Sequence, residues 1–262
     1  DYGITDIINA AYVNWQHRLN ERWSLQAGFR FEQTWFETNI RNKDITFSYK
    51  YPDGTENLAK ALFPGLYLSR KWESSMREVQ VNVSRKISRP NFWQIMPFIM
   101  NAGSRNVRIG NPTLAPELST LAEVNHLLPF LKSKATWLTS LFSRYTQDVI
   151  TGYATPLPSD TTLLLNTFVN GSYSMSGGWE NIVKVEPMRG LQLTLSGTIQ
   201  YTDVALTSAQ ASARNQGMNW NAKGIVAWRF MKDWNLQVNG EYEGRRIQAQ
   251  GVSLPQYGLD LS

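Results

Sequence analysis

The sequence has no cysteine and only two histidines, His17 and His126. The lack of cysteine excludes disulfides and thiolate metal sites, and two histidines so far apart argue against a histidine-rich metal centre. No run of about 18 apolar residues is present, so the sequence predicts no transmembrane helix. Charged residues are also scarce, at 18% against about 25% in typical proteins. We therefore expect no metal and no cofactor, and a surface that is unusual for a soluble protein.

The charge balance is basic but dispersed along the chain. The formal net charge is +5 at pH 7, and the lysines and arginines form no block of the kind that nucleic-acid binders concentrate on one element. No nucleophile, phosphate-loop or metalloprotease motif occurs. Glu241 and Glu243 share one strand face, but wall residues paired with arginine or lysine explain them better than a paired-carboxylate catalyst. We expect no nucleic-acid partner and no enzymatic activity.

What the sequence has instead is many aromatic residues, 12% of the chain, placed in segments where apolar and polar residues alternate. From Trp234 to Arg245, six apolar or small residues alternate with six polar ones without exception. Leu191 to Thr202 repeats this pattern, and 25–32 and 79–86 follow it over shorter stretches. A period of two indicates a strand with two different faces. The segment 136–150 is ambiguous, because large apolar residues fall on both of its faces.

The predicted strands are long, and their connections alternate in length. The alternating segments run about 10–13 residues, twice the usual strand length, and a strand tilted across a bilayer needs about 9–11. Short turns are predicted near 20–22, 73–75, 130–133, 187–190 and 231–233, and long connections at 38–62, 88–117, 151–173, 203–219 and 246–257. Long loops on one side of a sheet and short turns on the other are typical of outer-membrane barrels.

Four tryptophans lie within a few residues of the predicted short turns, each on the apolar side of its strand: Trp15, Trp23, Trp72 and Trp234. Their rings suit a membrane–water interface, where the indole body is apolar and its N–H is wet. The core of a soluble sandwich is the alternative, but it gives no reason for clustering at one end of the strands. Because lipid leaves backbone groups without partners, only helices and closed barrels span it. The pattern therefore predicts an all-β fold, an antiparallel up-and-down transmembrane β-barrel with these tryptophans as a membrane girdle.

Two segments resemble a known family. Ile87 to Phe98 contains Arg89-Pro90 and follows a predicted strand, and Gly110 to Glu117 reads Gly-Asn-Pro-Thr-Leu-Ala-Pro-Glu directly before another. Both are similar to the barrel region of TonB-dependent outer-membrane receptors, particularly the Bacteroidetes-type outer-membrane β-barrel family. The likeness covers nearly the whole chain, and the Gly-Asn-Pro segment is its most specific part. Residues before proline are pushed to extended conformations, so the two X-Pro pairs of that segment also make a stiff lead into the strand.

The resemblance implies an outer-membrane receptor that takes up a nutrient (a glycan, a peptide or a metal chelate) by TonB-dependent transport. It also implies several partners: outer-membrane lipid and lipopolysaccharide, a plug domain of the same receptor, the TonB energy-coupling complex and, as a further candidate, a surface lipoprotein. Such barrels have about 22 strands, whereas this sequence predicts ten, or eleven with a strand at 257–261. We therefore expect residues 1–262 to be part of a single barrel domain, with the plug and the remaining strands outside this sequence.

The long loop at 88–112 is the richest candidate for ligand binding, because aromatics beside arginines suit sugars, peptides or anions and loops on a rigid scaffold carry binding. Its candidate residues are Phe92, Trp93, Phe98, Arg105, Asn106 and Arg108. Contact of this loop with its neighbours is the alternative role for the same residues. Lysines in the 38–62 loop are candidates for contact with lipopolysaccharide phosphates: Lys43, Lys50 and Lys60.

Charged residues on the polar side of the strands are expected to face the barrel lumen. There they contact the plug domain, line the path of the solute or pair with one another. They are Arg30, Glu32, Lys86, Lys223, Arg229, Glu241, Glu243 and Arg245.

Two other functions stay open from the sequence. A structural or secretion-associated outer-membrane component keeps the barrel but has no uptake activity. A soluble, sugar-binding β-sandwich shows the same alternation, since it buries one sheet face and solvates the other. This second alternative explains neither strands of this length nor a continuous band of large apolar residues on one face.

Overall fold

The computed structural model describes residues 2–40, 45–102, 105–132, 134–157, 159–207, 212–230 and 234–262. The strands are β1 (Tyr2–Arg18), β2 (Trp23–Ile40), β3 (Ile45–Tyr51), β4 (Leu62–Trp72), β5 (Arg77–Ser88), β6 (Ile99–Ala102), β7 (Asn106–Ile109), β8 (Glu117–Phe130), β9 (Ala135–Gln147), β10 (Ile150–Leu157), β11 (Asp160–Asn170), β12 (Tyr173–Met188), β13 (Leu191–Thr207), β14 (Ser212–Phe230), β15 (Trp234–Glu243), β16 (Arg246–Gln248), β17 (Gly251–Ser253) and β18 (Gln256–Leu261). The helices are α1 (Phe92–Ile95) and a 3-10 helix, Thr55–Ala61. Neither of these described helices is long or apolar enough to cross a membrane.

Twelve strands form the main sheet. Eleven of them make an unbroken row in the order β1-β2-β4-β5-β8-β9-β12-β13-β14-β15-β18, and β3 pairs with β2 beside that row. Every neighbouring pair in the row is antiparallel. The predicted all-β, up-and-down architecture is confirmed, and the row agrees with the ten to eleven strands expected. The strands β1 and β18 are the two ends of the row, so the sheet is not closed across the described residues.

Apart from β13 and β14, neighbouring strands of the row are joined alternately by short turns and long connections, as predicted. Short turns follow β1, β4, β8 and β12, with residue 133 of the third outside the described residues, and the predicted turn at 231–233 also lies outside them. The long connections carry structure of their own: 38–62 holds β3 and the 3-10 helix, 88–117 holds α1, β6 and β7, 151–173 holds β10 and β11, and 246–257 holds β16 and β17. We call the two edges of the sheet the short-turn end and the long-connection end.

One predicted connection is wrong. The segment 203–219 is not a long loop, because β13 continues to Thr207 and β14 begins at Ser212. The sequence pattern misleads here because Val204 and Leu206 are apolar residues on the otherwise polar side of β13, and both are buried. The alternation of apolar and polar residues therefore stops, although the strand does not.

The registers place alternate residues of each strand on two faces, which we call the apolar face and the polar face. Large side chains of the apolar face are exposed, among them Phe29 at 61% and Leu195 at 62%. Pairing of Leu141 with Val124 and Trp179 assigns it to the apolar face, which settles the ambiguous segment 136–150. The outward exposure of so many large apolar groups needs an apolar environment beyond the protein.

The buried residues concentrate on the polar face at the long-connection end. One cluster consists of Phe36, Ile95, Met96 and Leu114, with Phe47, Tyr49, Phe92, Phe98, Ile150 and Phe168 against it. A second consists of Val204, Leu206 and Ala249, with Val149, Tyr153, Val169 and Ala213 against it. Three long connections therefore fold back onto the polar face and bury its part at the long-connection end: 88–117, 151–173 and 246–257.

Candidate functional site

Three long connections enclose a pocket of about 620 Å³ at the long-connection end of the sheet. The connection 88–117 contributes Trp93, Asn106 and Arg108, 151–173 contributes Gly152, Tyr153, Ala154, Asn166, Thr167 and Phe168, and 246–257 contributes Gln248 and Gln250. A four-stranded sheet with the order β10-β11-β7-β6 forms much of its frame, and β11 pairs with β7 in parallel. The pocket is thus built from segments that are distant in sequence.

An ion-pair cluster anchors the first of these connections to the barrel wall. Arg89 pairs with Glu32 on the polar face of β2, and its guanidinium also donates to the hydroxyl of Thr34 at 2.9 and 2.8 Å. Arg30 pairs with the same carboxylate. The side chain of Glu32 is only 7% exposed, so its two cationic partners are what make this burial tolerable.

The four-residue helix α1 carries Trp93 and begins with a capping box. The side chain of Asn91 accepts from the backbone N–H of Gln94 at 3.0 Å, and the side chain of Gln94 accepts from the backbone N–H of Asn91 at 2.8 Å. This reciprocal pair satisfies two donors that a helix start leaves free. It fixes the direction in which the helix presents Trp93.

The Gly-Asn-Pro segment, Gly110 to Pro112, fixes the end of the connection 88–117 by hydrogen bonds to α1 and to β11. The backbone N–H of Gly110 donates to the carbonyl of Met96 at 2.9 Å, and a Cβ at position 110 would lie 2.6 Å from that oxygen. Glycine is therefore required at this position because two backbone segments approach each other too closely for a side chain. Asn111 reaches across to donate to the carbonyl of Phe168 at 2.9 Å, and its side-chain oxygen accepts from Thr113. These contacts give the segment a structural role.

The pocket lining is polar and aromatic. The guanidinium of Arg108 lies over the ring of Phe168, 5.1 Å from its centroid. The side chain of Gln250 accepts from the backbone N–H of Ala154 at 2.8 Å, which joins the third connection to the second. The lining residues named above include no Asp, Glu, His or Cys. Such a lining offers amide and guanidinium donors beside aromatic faces to a neutral or anionic polar ligand.

The structure brings together three of the six loop residues that the sequence proposed for ligand contact. Trp93, Asn106 and Arg108 line the pocket, and the indole of Trp93 is 58% exposed. Phe92 and Phe98 pack against the first buried cluster and do not line this pocket, so they serve the alternative role of holding the loop. Arg105 is exposed and is not among the lining residues.

The sequence missed the pocket residues of the other connections, above all Tyr153, Asn166, Gln248 and Gln250. These residues lie in or beside short strands. The sequence signal that could have indicated this region is the high content of apolar residues in 149–169. These apolar residues predict a hairpin that packs against another part of the protein. They do not indicate which side chains of the hairpin line a cavity.

Most of the charged residues predicted for the lumen lie on the polar face. Arg30 and Lys86 line one cavity of about 570 Å³ on that face. Lys223 pairs with Glu241 at 3.7 Å, and the guanidinium of Arg229 donates to the side chain of Asn235 at 3.3 Å. These contacts show charged groups satisfying one another along the wall.

Arg245 is not a strand residue. The strand β15 ends at Glu243, so Arg245 lies in the connection that follows, and its place facing the lumen or the plug stays a prediction. Arg246, which the sequence did not single out, pairs with Glu243 instead. Alternation extends two residues past the strand here, because Gly244 and Arg245 continue the apolar-polar pattern by composition alone.

The four tryptophans of the predicted girdle lie on the apolar face near the short-turn end. Trp23 and Trp234 are the first residues of β2 and β15, and Trp72 is the last residue of β4. Trp15 lies three residues before the end of β1 and is 52% exposed.

A second row of aromatic residues, which the sequence did not reveal, lies farther up the same face. We call the tryptophans near the short-turn end, which include Trp137 and Trp228 beside the four named above, the first row. Members of the second row stand eight positions along their strands from a residue of the first row, as in the pairs Trp23 and Phe31, Trp137 and Tyr145, Trp228 and Trp220, and Trp234 and Tyr242. Eight residues span about 26 Å along a strand, or about 20 Å along the membrane normal at a tilt near 40°. Outer-membrane barrels have an apolar band about 25 Å tall between two aromatic girdles.

Two polar side chains on the apolar face, Asn181 and Thr139, are hydrogen-bonded to tryptophans. The indole N–H of Trp137 donates to Asn181 at 3.0 Å, and that of Trp179 donates to Thr139 at 2.6 Å. A polar side chain that faces lipid needs such a partner, because no water is present to supply one.

An antiparallel sheet with an apolar outer face, two aromatic rows and folded connections at one end defines an outer-membrane barrel protein. The model of the outer membrane protein beta-barrel family matches residues 1–262, and the chain belongs to this family. Its place is accordingly the bacterial outer membrane. The alternative of a soluble sandwich is excluded, because the long strands form one continuous sheet with an exposed apolar face.

Solved structures of similar fold are TonB-dependent receptors, as the sequence resemblance indicated. The copper transporter OprC has a TM-score of 0.64 at 10% identity, over 98% of this chain and 39% of that protein. The ferric yersiniabactin uptake receptor FyuA of Yersinia pestis has a TM-score of 0.60 at 14% identity, over 99% and 38%. The ferric-catecholate import receptor Fiu of E. coli K12 has 0.59 at 11%, over 99% and 38%.

At such identities the likeness shows the fold, and the chain spans about two fifths of the length of these receptors. A comparison with curated proteins finds no match. The narrower likeness to Bacteroidetes-type barrels stays an expectation.

Proposed function

We propose that this chain forms part of the barrel wall and the ligand-binding surface of a TonB-dependent receptor that takes up a nutrient. The observation that carries the proposal is the pocket lined by Trp93, Asn106 and Arg108, which three connections build at the end of the sheet opposite the short turns. In outer-membrane barrels the short turns are periplasmic and the long loops extracellular. The pocket therefore faces the medium from which a nutrient is taken.

The lining favours an organic ligand with many polar groups. Solved relatives in fold include proteins described as transporters of copper or receptors for ferric siderophores, and a glycan, a peptide or a metal chelate all remain within the proposal. Side-chain amides and one guanidinium match hydroxyl, amide and carboxylate groups, and the faces of Trp93 and Tyr153 match apolar faces of a sugar or peptide. A bare metal ion would need carboxylate, imidazole or thiolate ligands, which the lining does not supply.

The polar face supports a plug domain as partner. It carries Arg30, Lys86 and other charged groups along a wall that a ligand must pass, and a domain seated there would hydrogen-bond to them. Release of the ligand then requires the TonB energy-coupling complex to displace that domain. A surface lipoprotein above the pocket is a further proposed partner, as are lipopolysaccharide phosphates for Lys50 and Lys60. Lys43 lies outside the described residues.

A binding experiment on the full-length receptor tests the pocket. Oligosaccharides, oligopeptides and ferric chelates are titrated by calorimetry against the wild type, Arg108→Gln and Arg105→Gln. Both variants remove one positive charge from the same connection, but only Arg108 lines the pocket. We expect Arg108→Gln to weaken binding by roughly tenfold or more, as for a charge-assisted hydrogen bond, and Arg105→Gln to have little effect. Equal effects of the two variants would refute this pocket as the site.

A transport experiment separates uptake from the structural or secretion-associated alternative. Cells that express the receptor are given the ligand found by calorimetry, with and without a functional energy-coupling complex. The proposal predicts accumulation only when the complex is functional. Surface binding without any energy-dependent accumulation would favour the alternative.

A further inference from the structure

Arg70 is a charged residue on the apolar face. It lies directly opposite Trp23 on β2 and Val79 on β5 in the registers, so it shares the face of those two residues. Its guanidinium carbon lies 4.4 Å from the ring centroid of Trp72 and 5.3 Å from that of Trp23. The first row of tryptophans therefore holds a cation between two of its members.

Among the described residues, no acidic side chain pairs with this cation. The Nε of Arg70 is buried without a hydrogen-bond partner, and none of the ion pairs between described residues includes Arg70. Its neighbour Lys71 pairs with Glu78 at 3.5 Å, but that pair is on the polar face. The short-turn half of the apolar face of β2, β4 and β5 carries no acidic residue, while Arg77 lies there opposite Trp72.

A guanidinium at the edge of the lipid needs an anion. Cation–π contacts with two indoles hold the group in place and cover part of its surface, but they give its buried Nε no hydrogen-bond acceptor. Away from water such a donor is costly without a partner. Arginine presents a planar fork that matches phosphate oxygens, and the phosphate of a phospholipid is the anion that lies at this depth of a membrane.

We propose that Arg70, Trp23 and Trp72 form a binding site for the phosphate group of a phospholipid in the periplasmic leaflet of the outer membrane. The short-turn end faces the periplasm in barrels of this kind. The absence of acidic residues on this half of the face, with Arg77 beside the site, gives the charge complementarity that an anionic headgroup requires. The acyl chains then lie along Leu68, Val81 and their neighbours on the apolar face. The site is independent of the uptake proposal and rests on the barrel family alone.

The test measures lipid binding to the full-length receptor in a detergent without phosphate groups. Palmitoyl-oleoyl phosphatidylglycerol is titrated, and native mass spectrometry gives the apparent dissociation constant of the first bound lipid. We expect Arg70→Gln to weaken that binding by roughly tenfold to a hundredfold. Lys71→Gln, which removes the same charge from the opposite face one residue away, should leave it within about twofold of the wild type.

Two further arms make the result decisive. Arg70→Lys keeps the charge but loses the planar fork, so we expect its affinity to lie between those of the wild type and Arg70→Gln. An intermediate affinity would also show that the protein still folds when Arg70 is replaced. Excess inorganic phosphate should not displace the lipid, because the acyl chains contribute to its binding. Displacement by phosphate would show a site for free anions and overturn the lipid assignment. Equal binding to Arg70→Gln and Lys71→Gln would overturn the site itself.

Discussion

The two ends of the main sheet are made from the same strands but differ in what covers them. At the short-turn end both faces are accessible, and tryptophans such as Trp234, at 63% exposure, mark the edge of the apolar face. At the long-connection end the polar face disappears beneath folded connections, and Thr34, Thr38 and Leu206 have no exposed surface. One end is stabilised by backbone pairing and by the environment outside the protein, the other by a core of its own.

This difference shows that the polar face has two functions along its length. Toward the short-turn end it is a wall of charged groups that pair with one another, such as Lys71 and Glu78. Toward the long-connection end Glu32 and Phe36 contact the connections that form the proposed pocket. Substitutions at the two ends should therefore have different consequences.

The largest effect is expected from Glu32→Gln. It leaves Arg30 and Arg89 without their carboxylate in a site where the glutamate side chain is 7% exposed, and breaking a buried pair costs about 3–5 kcal/mol. The matched change Glu78→Gln, near the short-turn end, removes a pair whose lysine is 64% exposed, worth about 0–1 kcal/mol. Thermal unfolding in detergent, followed by tryptophan fluorescence, compares the two. Similar melting temperatures would mean that the two ends are alike.

Leu206→Ala should come next. Leu206 is fully buried beneath the second and third connections, and truncation of a core leucine costs about 2–5 kcal/mol. Leu195→Ala changes the same residue type on the same strand, but at a position 62% exposed on the apolar face. Limited proteolysis should cut 150–170 faster in the first variant only. Equal cleavage in both would contradict the core at this end.

A smaller effect is expected from Gly190→Ala at the short-turn end. Gly190 has φ +86°, and a Cβ there would lie 2.6 Å from the backbone oxygen of Arg229. A non-glycine residue in this region costs about 1–3 kcal/mol. Gly224→Ala is the control, since nothing lies within 4 Å of its added Cβ. Urea unfolding should separate the two variants, and a neutral Gly190→Ala would show that this turn is not constrained.

The smallest effect concerns Tyr51 in β3, at the long-connection end. Burial raises the pKa of Tyr51 to about 12, above about 10 for a free tyrosine. Because the folded state binds the phenol proton of Tyr51 more tightly than the unfolded state does, this group adds to the free energy of unfolding. The contribution is fully present below pH 10 and is lost as the pH rises toward 12. The phenolate absorbance of the wild type minus that of Tyr51→Phe should titrate near pH 12. A midpoint near 10 would show that the connection is open to water.

The strands were predictable because their two faces meet different environments. The alternation from Trp234 to Glu243 and from Leu191 to Thr202 follows from lipid on one side and polar groups on the other. The same reasoning failed above Thr202, where Val204 and Leu206 meet a protein core and not water. A change of environment along one face leaves no period-two signal.

The pocket was predictable only in part. Aromatic and arginine residues identified 88–112 as the richest connection, and Trp93, Asn106 and Arg108 do line the cavity. Which aromatics turn inward depends on partners from other connections, since Phe92 and Phe98 meet a cluster that includes Phe36 and Leu114. Such contacts join distant parts of the chain, and no local pattern encodes them.

Each long strand has one face toward lipid and one toward the barrel interior, and spin labelling tests this arrangement most directly. Single-cysteine spin labels are placed along β13 of a cysteine-free variant of the full-length receptor in lipid bilayers, at Leu193, Thr194, Leu195 and Ser196. Collisions with oxygen, which concentrates in lipid, should be high at Leu193 and Leu195 and low at the other two positions, with a water-soluble nickel chelate excluded from the first pair. Accessibility without a period of two, or access of the chelate to Leu193 and Leu195, would contradict the account.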